Sequence, residues 1–450
     1  MSPTVLPVRF RTEAVFLCAI VAGGWIASVV LGVAAPSPNR ALAQVGAPSN
    51  VDSRQTLSQG DQARRSGDLS EADRLYRLAC RDPTSRSRAA GALRSLERAG
   101  YELPVDEAEI TKTTDLVSRS FRRFESDHFV LLADTPRAAA VAKLGALERS
   151  HDQFFRVMDR LGFEAIPPEH KLLCVLFADH AMYRDFASAN DNVNAAWVAG
   201  YYAGLSNRAV FYEDDSAPGY AKAMSALDNA AQQTGDLERE ATQARRAHQK
   251  DRARLIANQA SDLKRQIQAE RTRLSVEAKQ TSISKTIHES IHLLAFNTGV
   301  QSRMREYPFW VTEGLATNFE TNRPNAAFGP DRPSTLRQDE LLRAFETDRA
   351  LPLRTLVALA SPPSDDPRDT EAIYAQSWSL FASLYRTQRR ALAGFLNDLL
   401  NEPAGRMTDA RRVELFEHRF GDIERLEKRW RLRVAQPART LAATIQRAAN

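Results

Sequence analysis

The 450-residue chain predicts an α+β fold: a small mixed sheet followed by a helical half, with a helical module in front and a long helical hairpin inserted between them. Three observations lead there. Short apolar runs alternate with helix-period segments between residues 128 and 212, and a proline-free stretch rich in Ala, Arg, Gln and Glu fills residues 221–280. From residue 335 onward, apolar residues recur only at helical spacing. At 43% apolar content the chain can bury a sizeable core and build more than one domain.

Taken in order, the N-terminus comes first. Arg9 and Arg11 precede an apolar run from Ala14 to Ala35, Pro36 and Pro38 break it, and Ala41-Leu-Ala43 before Gln44 fits a small-x-small cleavage site. Residues 1–43 therefore read as a signal peptide. A run of about 22 apolar residues is also long enough to span a bilayer, so the alternative is an uncleaved membrane anchor over residues 14–35. Either way the protein is expected to be exported, as a periplasmic, secreted or membrane-anchored protein. A polar linker covers residues 44–53. In residues 54–103, Gly60, Ala63, Gly67-Asp68, Ala72, Tyr76, Ala79 and Asp82-Pro83 fall at the small-residue positions of a helix pair, a pattern that resembles one tetratricopeptide unit. A single unit cannot form a solenoid; it reads as a helical cap or as a protein-partner module.

The sheet region starts with a strand at His128–Ala133. Thr135 followed by Pro136 marks a capped helix start, Val141, Leu144, Leu147, Phe154, Phe155, Met158 and Leu161 carry the helix, and Gly162 ends it. A buried strand follows at Leu172–Phe177. Val198–Tyr202 and Ala209–Tyr212 form a hairpin around Gly204–Asn207, either a substrate-pairing edge or an ordinary covered strand. Residues 221–280 read as a helical, coiled-coil-like hairpin with one break at Gly235-Asp236, because Leu237, Ala241, Ala244, Leu255, Leu263, Ile267 and Leu274 keep a loose seven-residue repeat. This arm is either solvated, partner-binding or a lid. Further helices are expected at 335–350, 371–401 and 407–435.

Two stretches carry the chemistry: Thr286-Ile-His288-Glu289-Ser-Ile-His292, and Trp310-Val-Thr-Glu313-Gly-Leu-Ala316-Thr-Asn-Phe-Glu320. Ile283, Ile287, Ile291 and Leu294 put the first on a core-packed helix, with Ser282 or Ser284 as its cap and Asn297-Thr-Gly299 as its stop. Residues four apart share one helix face, so His288 and His292 can aim two imidazoles at one point. A catalytic zinc takes three protein ligands and keeps a fourth position open, and Glu313 is placed to be the third ligand.

The segment Trp310 to Glu320 resembles the glutamate helix of aminopeptidase N-like zinc peptidases. Both motifs together resemble the peptidase-MA-like (gluzincin) superfamily, including an uncharacterised exported bacterial family within it. Softer matches extend the resemblance over roughly residues 125–435: Ser126-Asp-His128-Phe-Val-Leu, Tyr374-Ala-Gln-Ser-Trp378, and Phe420-Gly-Asp followed by Trp430. The resemblance implies a zincin-like catalytic domain over residues 120–440 that hydrolyses a peptide or protein substrate. It makes His288, His292 and Glu313 the ligands of one Zn2+ per chain and Glu289 the general base. Tyr374 lies where such enzymes carry an oxyanion-stabilising tyrosine; its alternative is a core or rim tyrosine on an amphipathic helix. Glu320, seven residues after Glu313 on the same helix face, is a carboxylate behind a ligand, a substrate contact or a surface charge. The Gly-x-Met-Glu-Asn strand that grips a substrate amine in the aminopeptidases is absent from this chain, so exopeptidase specificity does not carry over. The rival reading is a peptidase fold without turnover, serving as an envelope scaffold; a third keeps the metal and hydrolyses a non-peptide amide or ester.

Composition narrows the field. The 61 basic residues nearly balance 56 acidic ones for a formal charge of +5, and no basic patch is interleaved with aromatics, which excludes nucleic acid as the partner. Beyond the leader only Cys80 and Cys174 remain, so there is no disulfide framework. His128, His151, His170, His180, His248 and His418 lack metal-ligand spacing with one another and read as satisfied or exposed side chains.

Overall fold

Apolar runs too short for helices make the centre of one mixed sheet, and everything around it is helical. The computed structural model describes residues 28–31, 53–194, 198–363 and 366–434, so the expected signal peptide or membrane anchor lies outside the described residues except for Ser28–Leu31. In chain order the elements are β1 (Ser28–Leu31), α1 (Ser53–Ser66), α2 (Leu69–Ala79), α3 (Pro83–Arg98), α4 (Glu107–Thr114), β2 (Arg122–Glu125), β3 (Phe129–Ala133), α5 (Arg137–Leu161), β4 (Leu172–Phe177), α6 (His180–Asp191), β5 (Gly200–Ala203) and β6 (Arg208–Tyr212). They continue with α7 (Pro218–Arg246), α8 (Lys250–Asn297), α9 (Phe309–Thr317), α10 (Thr335–Glu346), α11 (Leu353–Ala358), α12 (Pro367–Thr387), α13 (Arg389–Asn401) and α14 (Asp409–Phe420), then α15 (423–434). The protein is thus a mixed α+β structure, mostly helical, with one small mixed sheet.

The sheet order is β1-β5-β6-β4-β3-β2. β3, β4 and β6 run parallel, while β2 and β5 are antiparallel to their inner neighbours. Its central strands are buried on both faces, which is why they read as unbroken apolar runs. From β4, Leu172, Cys174 and Leu176 join the main core with α5 and α8, while Val175 and Phe177 face α6. β1 pairs in parallel with β5, Ser28 opposite Gly200 and Leu31 opposite Ala203, so the outer side of the hairpin is covered by the four described residues of the apolar run. No helix among the described residues is long and apolar enough to cross a membrane.

Helices α1–α3 form the N-terminal module around Leu57, Ala72, Tyr76, Ala79 and Leu93. Arg77 docks it, donating 2.8 Å hydrogen bonds to the carbonyls of Pro167 and Pro168.

Several boundaries differ from expectation. The arm turns at Ala247–Gln249, where His248 takes a φ of 57°, and α7 runs straight through Gly235-Asp236; one helical glycine costs only about 1 kcal/mol, which a 29-residue helix absorbs. Ser282 and Ser284 cap nothing, because no glycine or proline interrupts the 48 residues of α8. The arm's second helix and the His288–His292 helix are one rod. Thr135 falls one residue outside the cap of α5, which Pro136 occupies without a side-chain bond. The expected helix over 371–401 is two, α12 and α13, joined at Gln388, whose φ of −141° and ψ of 44° lie outside the helical range. The stops at Gly162 and Gly299 sit where expected, with φ of 79° and 73°.

Candidate metal centre

The site is built where α8 enters the core. Ile287, Ile291 and Leu294 are buried in the main cluster, and this anchoring fixes the opposite face of the same two turns. His288, Glu289 and His292 are at most 1% exposed, and Glu313 on α9 is 2% exposed.

Gly314 is the reason α9 comes so close. A Cβ there would lie 2.6 Å from the Ser377 carbonyl oxygen, so only glycine lets α9 lie backbone against backbone on α12. Asn318 locks the pair, its side-chain amide donating to the carbonyls of Gly314 at 2.6 Å and Trp378 at 2.9 Å.

Three donor atoms converge as a result. His288 Nε2 lies 3.2 Å from Glu313 Oε2 and 3.1 Å from His292 Nε2, and His292 Nε2 lies 3.5 Å from Glu313 Oε2. A tetrahedral ion with bonds of about 2.0–2.1 Å separates its ligands by roughly 3.3 Å, so the triangle is already the size of a cation's ligand face. These three residues form a buried group that could hold a metal ion.

Outer partners set the orientation. His288 Nδ1 donates to Glu320 Oε1 at 2.8 Å, which leaves Nε2 as the ring nitrogen that faces the centre, the usual arrangement of carboxylate behind a ligating imidazole. Arg337 holds Glu320 in turn through two 2.8 Å bonds, and pairs with Glu340 at 2.8 Å. Burial alone would lower the His288 imidazole, but Glu313 and Glu320 outweigh it and lift it to about 10. Burial would likewise raise Glu313, yet the facing histidines bring it to about 2. The pocket is strongly poised for positive charge.

Glu320 is not on the helix face expected for it. α9 ends at Thr317, and the chain bends after Asn318 so that Glu320 returns to His288; its 6% side-chain exposure rules out a surface charge. Tyr374 lies on α12, 2% exposed, with its ring edge-on to Phe309 at 5.2 Å and the Arg337 guanidinium 5.9 Å from its ring centre. It therefore sits in the core behind Glu320's partner.

Sequence reading missed three contributors. Arg337 gives no signal, being 17 residues past Glu320 on a separate helix. Gly200 on β5 faces Glu289 so closely that a Cβ would lie 3.1 Å from Glu289 Oε1, a contact visible only once the sheet is formed. Lys285, one turn before Glu289 and fully buried, pairs with Asp214 at 2.9 Å and lies 3.6 Å from the Tyr212 ring centre. Its spacing of four from Glu289 was the available clue. The structure also stacks His128 on His151, with ring centres 3.6 Å apart; their separation of 23 residues, across a turn and a helix, hid this pair.

A family model described as "Protein of unknown function (DUF1570)" matches residues 282–404, a span that holds both motifs, Arg337 and Tyr374. No curated protein and no solved structure matches the chain.

Proposed function

We propose that the chain is an exported zinc metallopeptidase of gluzincin type, with a zincin-like catalytic domain. The observation that carries this reading is the buried triangle of His288, His292 and Glu313 donors, 3.1–3.5 Å apart, with Glu289 one residue after the first ligand. Two imidazoles and a carboxylate suit zinc, and a zinc ion held there supplies a Lewis acid that polarises a carbonyl and brings water's pKa toward neutrality. Glu289 then acts as general base, accepting the proton of the attacking water and delivering it to the leaving nitrogen. Glu320 and Arg337 hold His288 in its tautomer. The Gly200 backbone, which confines Glu289, belongs to strand β5. In this structure β1 covers that strand's outer side, and we assign the same edge to an extended substrate once residues 1–43 have been cleaved away.

The test separates binding from chemistry. Glu289→Gln should keep one zinc per chain and lose hydrolysis of an unstructured protein substrate by at least about 100-fold, whereas Glu313→Ala should lose that zinc. A Glu289→Gln variant as active as the wild type would sink the mechanism. The full burial of Glu289 favours a second reading, a metal-bearing scaffold without turnover. Stoichiometric zinc with no chelator-sensitive cleavage across a peptide library would support it.

A further inference from the structure

A second group of metal-binding side chains lies away from this centre, where the N-terminal module meets the sheet. We propose that Glu97, His128 and His151 form a second metal site, for a divalent transition cation such as zinc, which pins α3 to the start of β3 and to α5. One ligating atom from each residue lies within 4.8 Å of the other two.

The strongest observation is His151. It is 4% exposed, and neither of its ring nitrogens has a hydrogen-bond partner. Asp152 Oδ1, 3.8 Å from Nδ1, is beyond hydrogen-bonding reach. Burying an unsatisfied polar atom is costly, and a buried imidazole with no protein partner on either nitrogen calls for an ion or a water beside it. Glu97 Oε1 is a buried carboxylate oxygen in the same condition.

His128 supplies the independent sign of a prepared ligand. Glu148 Oε2 takes its Nδ1–H at 2.6 Å, and Glu148 Oε1 accepts its backbone N–H at 2.9 Å. The ring is fixed and its tautomer set, leaving Nε2 as the lone-pair nitrogen. This repeats the role of Glu320 behind His288. The two rings stand 3.6 Å apart at 19°; because an imidazole lone pair lies in its ring plane, the His151 ring turns out of this stack to share one cation with His128. Two nitrogens and one carboxylate oxygen suit zinc and its neighbours better than calcium or magnesium. Closing the donors from within 4.8 Å to the roughly 3.3 Å of a tetrahedral site asks for rotation of Glu97, whose side chain is only half-buried.

Position gives the site its purpose. Glu97 is in the last turn of α3, the final helix of the module, while His128 and His151 belong to the sheet domain. The ion would be a structural clip between the two parts.

The measurement is zinc content after loading with zinc alone and exhaustive dialysis, in variants checked for native far-ultraviolet dichroism. Glu313→Ala, which empties the first centre, should retain one zinc per chain, and Glu313→Ala with His151→Leu should retain none. In Glu313→Ala, chelation should then speed protease cleavage within residues 99–121, between module and sheet. Should the His151 variant fold poorly, Glu97→Gln on the Glu313→Ala background serves instead, with zinc affinity lowered 10-fold or more. A folded Glu313→Ala protein without zinc would overturn the proposal, as would a double variant that still holds one ion.

Discussion

At the scale of single residues, the centre depends on side chains that never touch its ligand face directly. Arg337 is the clearest case. It is 5% exposed and neutralises both Glu320 and Glu340, so Arg337→Met leaves two carboxylates without their cation in a dry pocket. Removing one partner of a buried ion pair costs about 3–5 kcal/mol, a loss that urea denaturation would register as a lowered midpoint with an unchanged slope. Glu320→Gln is milder, because its amide oxygen still accepts from His288 Nδ1. Zinc affinity should fall about 10-fold, the low end for such outer partners, as read by competition with a chelator; unaltered affinity would reduce Glu320 to a packing role. The ligands themselves were legible in the sequence because helical geometry converts a spacing of four into a shared face. Arg337 was not, because α9 and α10 are brought together by the packing of both on α12.

At the scale of elements, the glycines tell apart what the chain needs from what it merely tolerates. Gly314 has the Ser377 carbonyl 2.6 Å from where a Cβ would stand, a backbone atom on a packed helix, whereas at Gly235 the nearest atom is the flexible end of Arg239 at 4.0 Å. Gly314→Ala should therefore push α9 off α12, cost about 1–3 kcal/mol and weaken zinc binding, since Glu313 moves with its helix. Gly235→Ala should raise stability by about 1 kcal/mol. Thermal melts of the two variants should shift in opposite directions; a neutral Gly314→Ala would show that the contact yields. The same pair explains which boundaries could be read. Gly162 and Gly299 end helices because each takes a positive φ just where the apolar stripe stops, and local chemistry is enough to see that. Gly235 and Ser282 carry equally good local signals and do nothing of the kind. The packing of Ala241, Ala244, Ala253, Ile256 and Ala260 keeps the arm helical past the glycine, and Ser282 is taken up by Glu213 and Lys143.

At the scale of the molecule, that last contact joins the two elements that enclose the sheet's inner face. Lys143 of α5 is 4% exposed and donates to Ser282 and Thr286 of α8, with Glu213, just after β6, 3.4 Å away. Burial pulls its ammonium from 10.5 to about 8, and Glu213 keeps it from falling further. A lysine whose folded pKa is depressed binds its proton more tightly when unfolded, so its charge destabilises the fold below about pH 8. That penalty is relieved as pH rises toward 10.5, and a shift of this size corresponds to about 3 kcal/mol. Wild type should therefore gain about 3 kcal/mol on Lys143→Met between pH 7.5 and 10.5, with both proteins zinc-loaded and unfolded in urea at each pH. Parallel stability curves would show that Lys143 keeps an ordinary affinity for its proton, and that the joint between α5 and α8 rests on its hydrogen bonds alone.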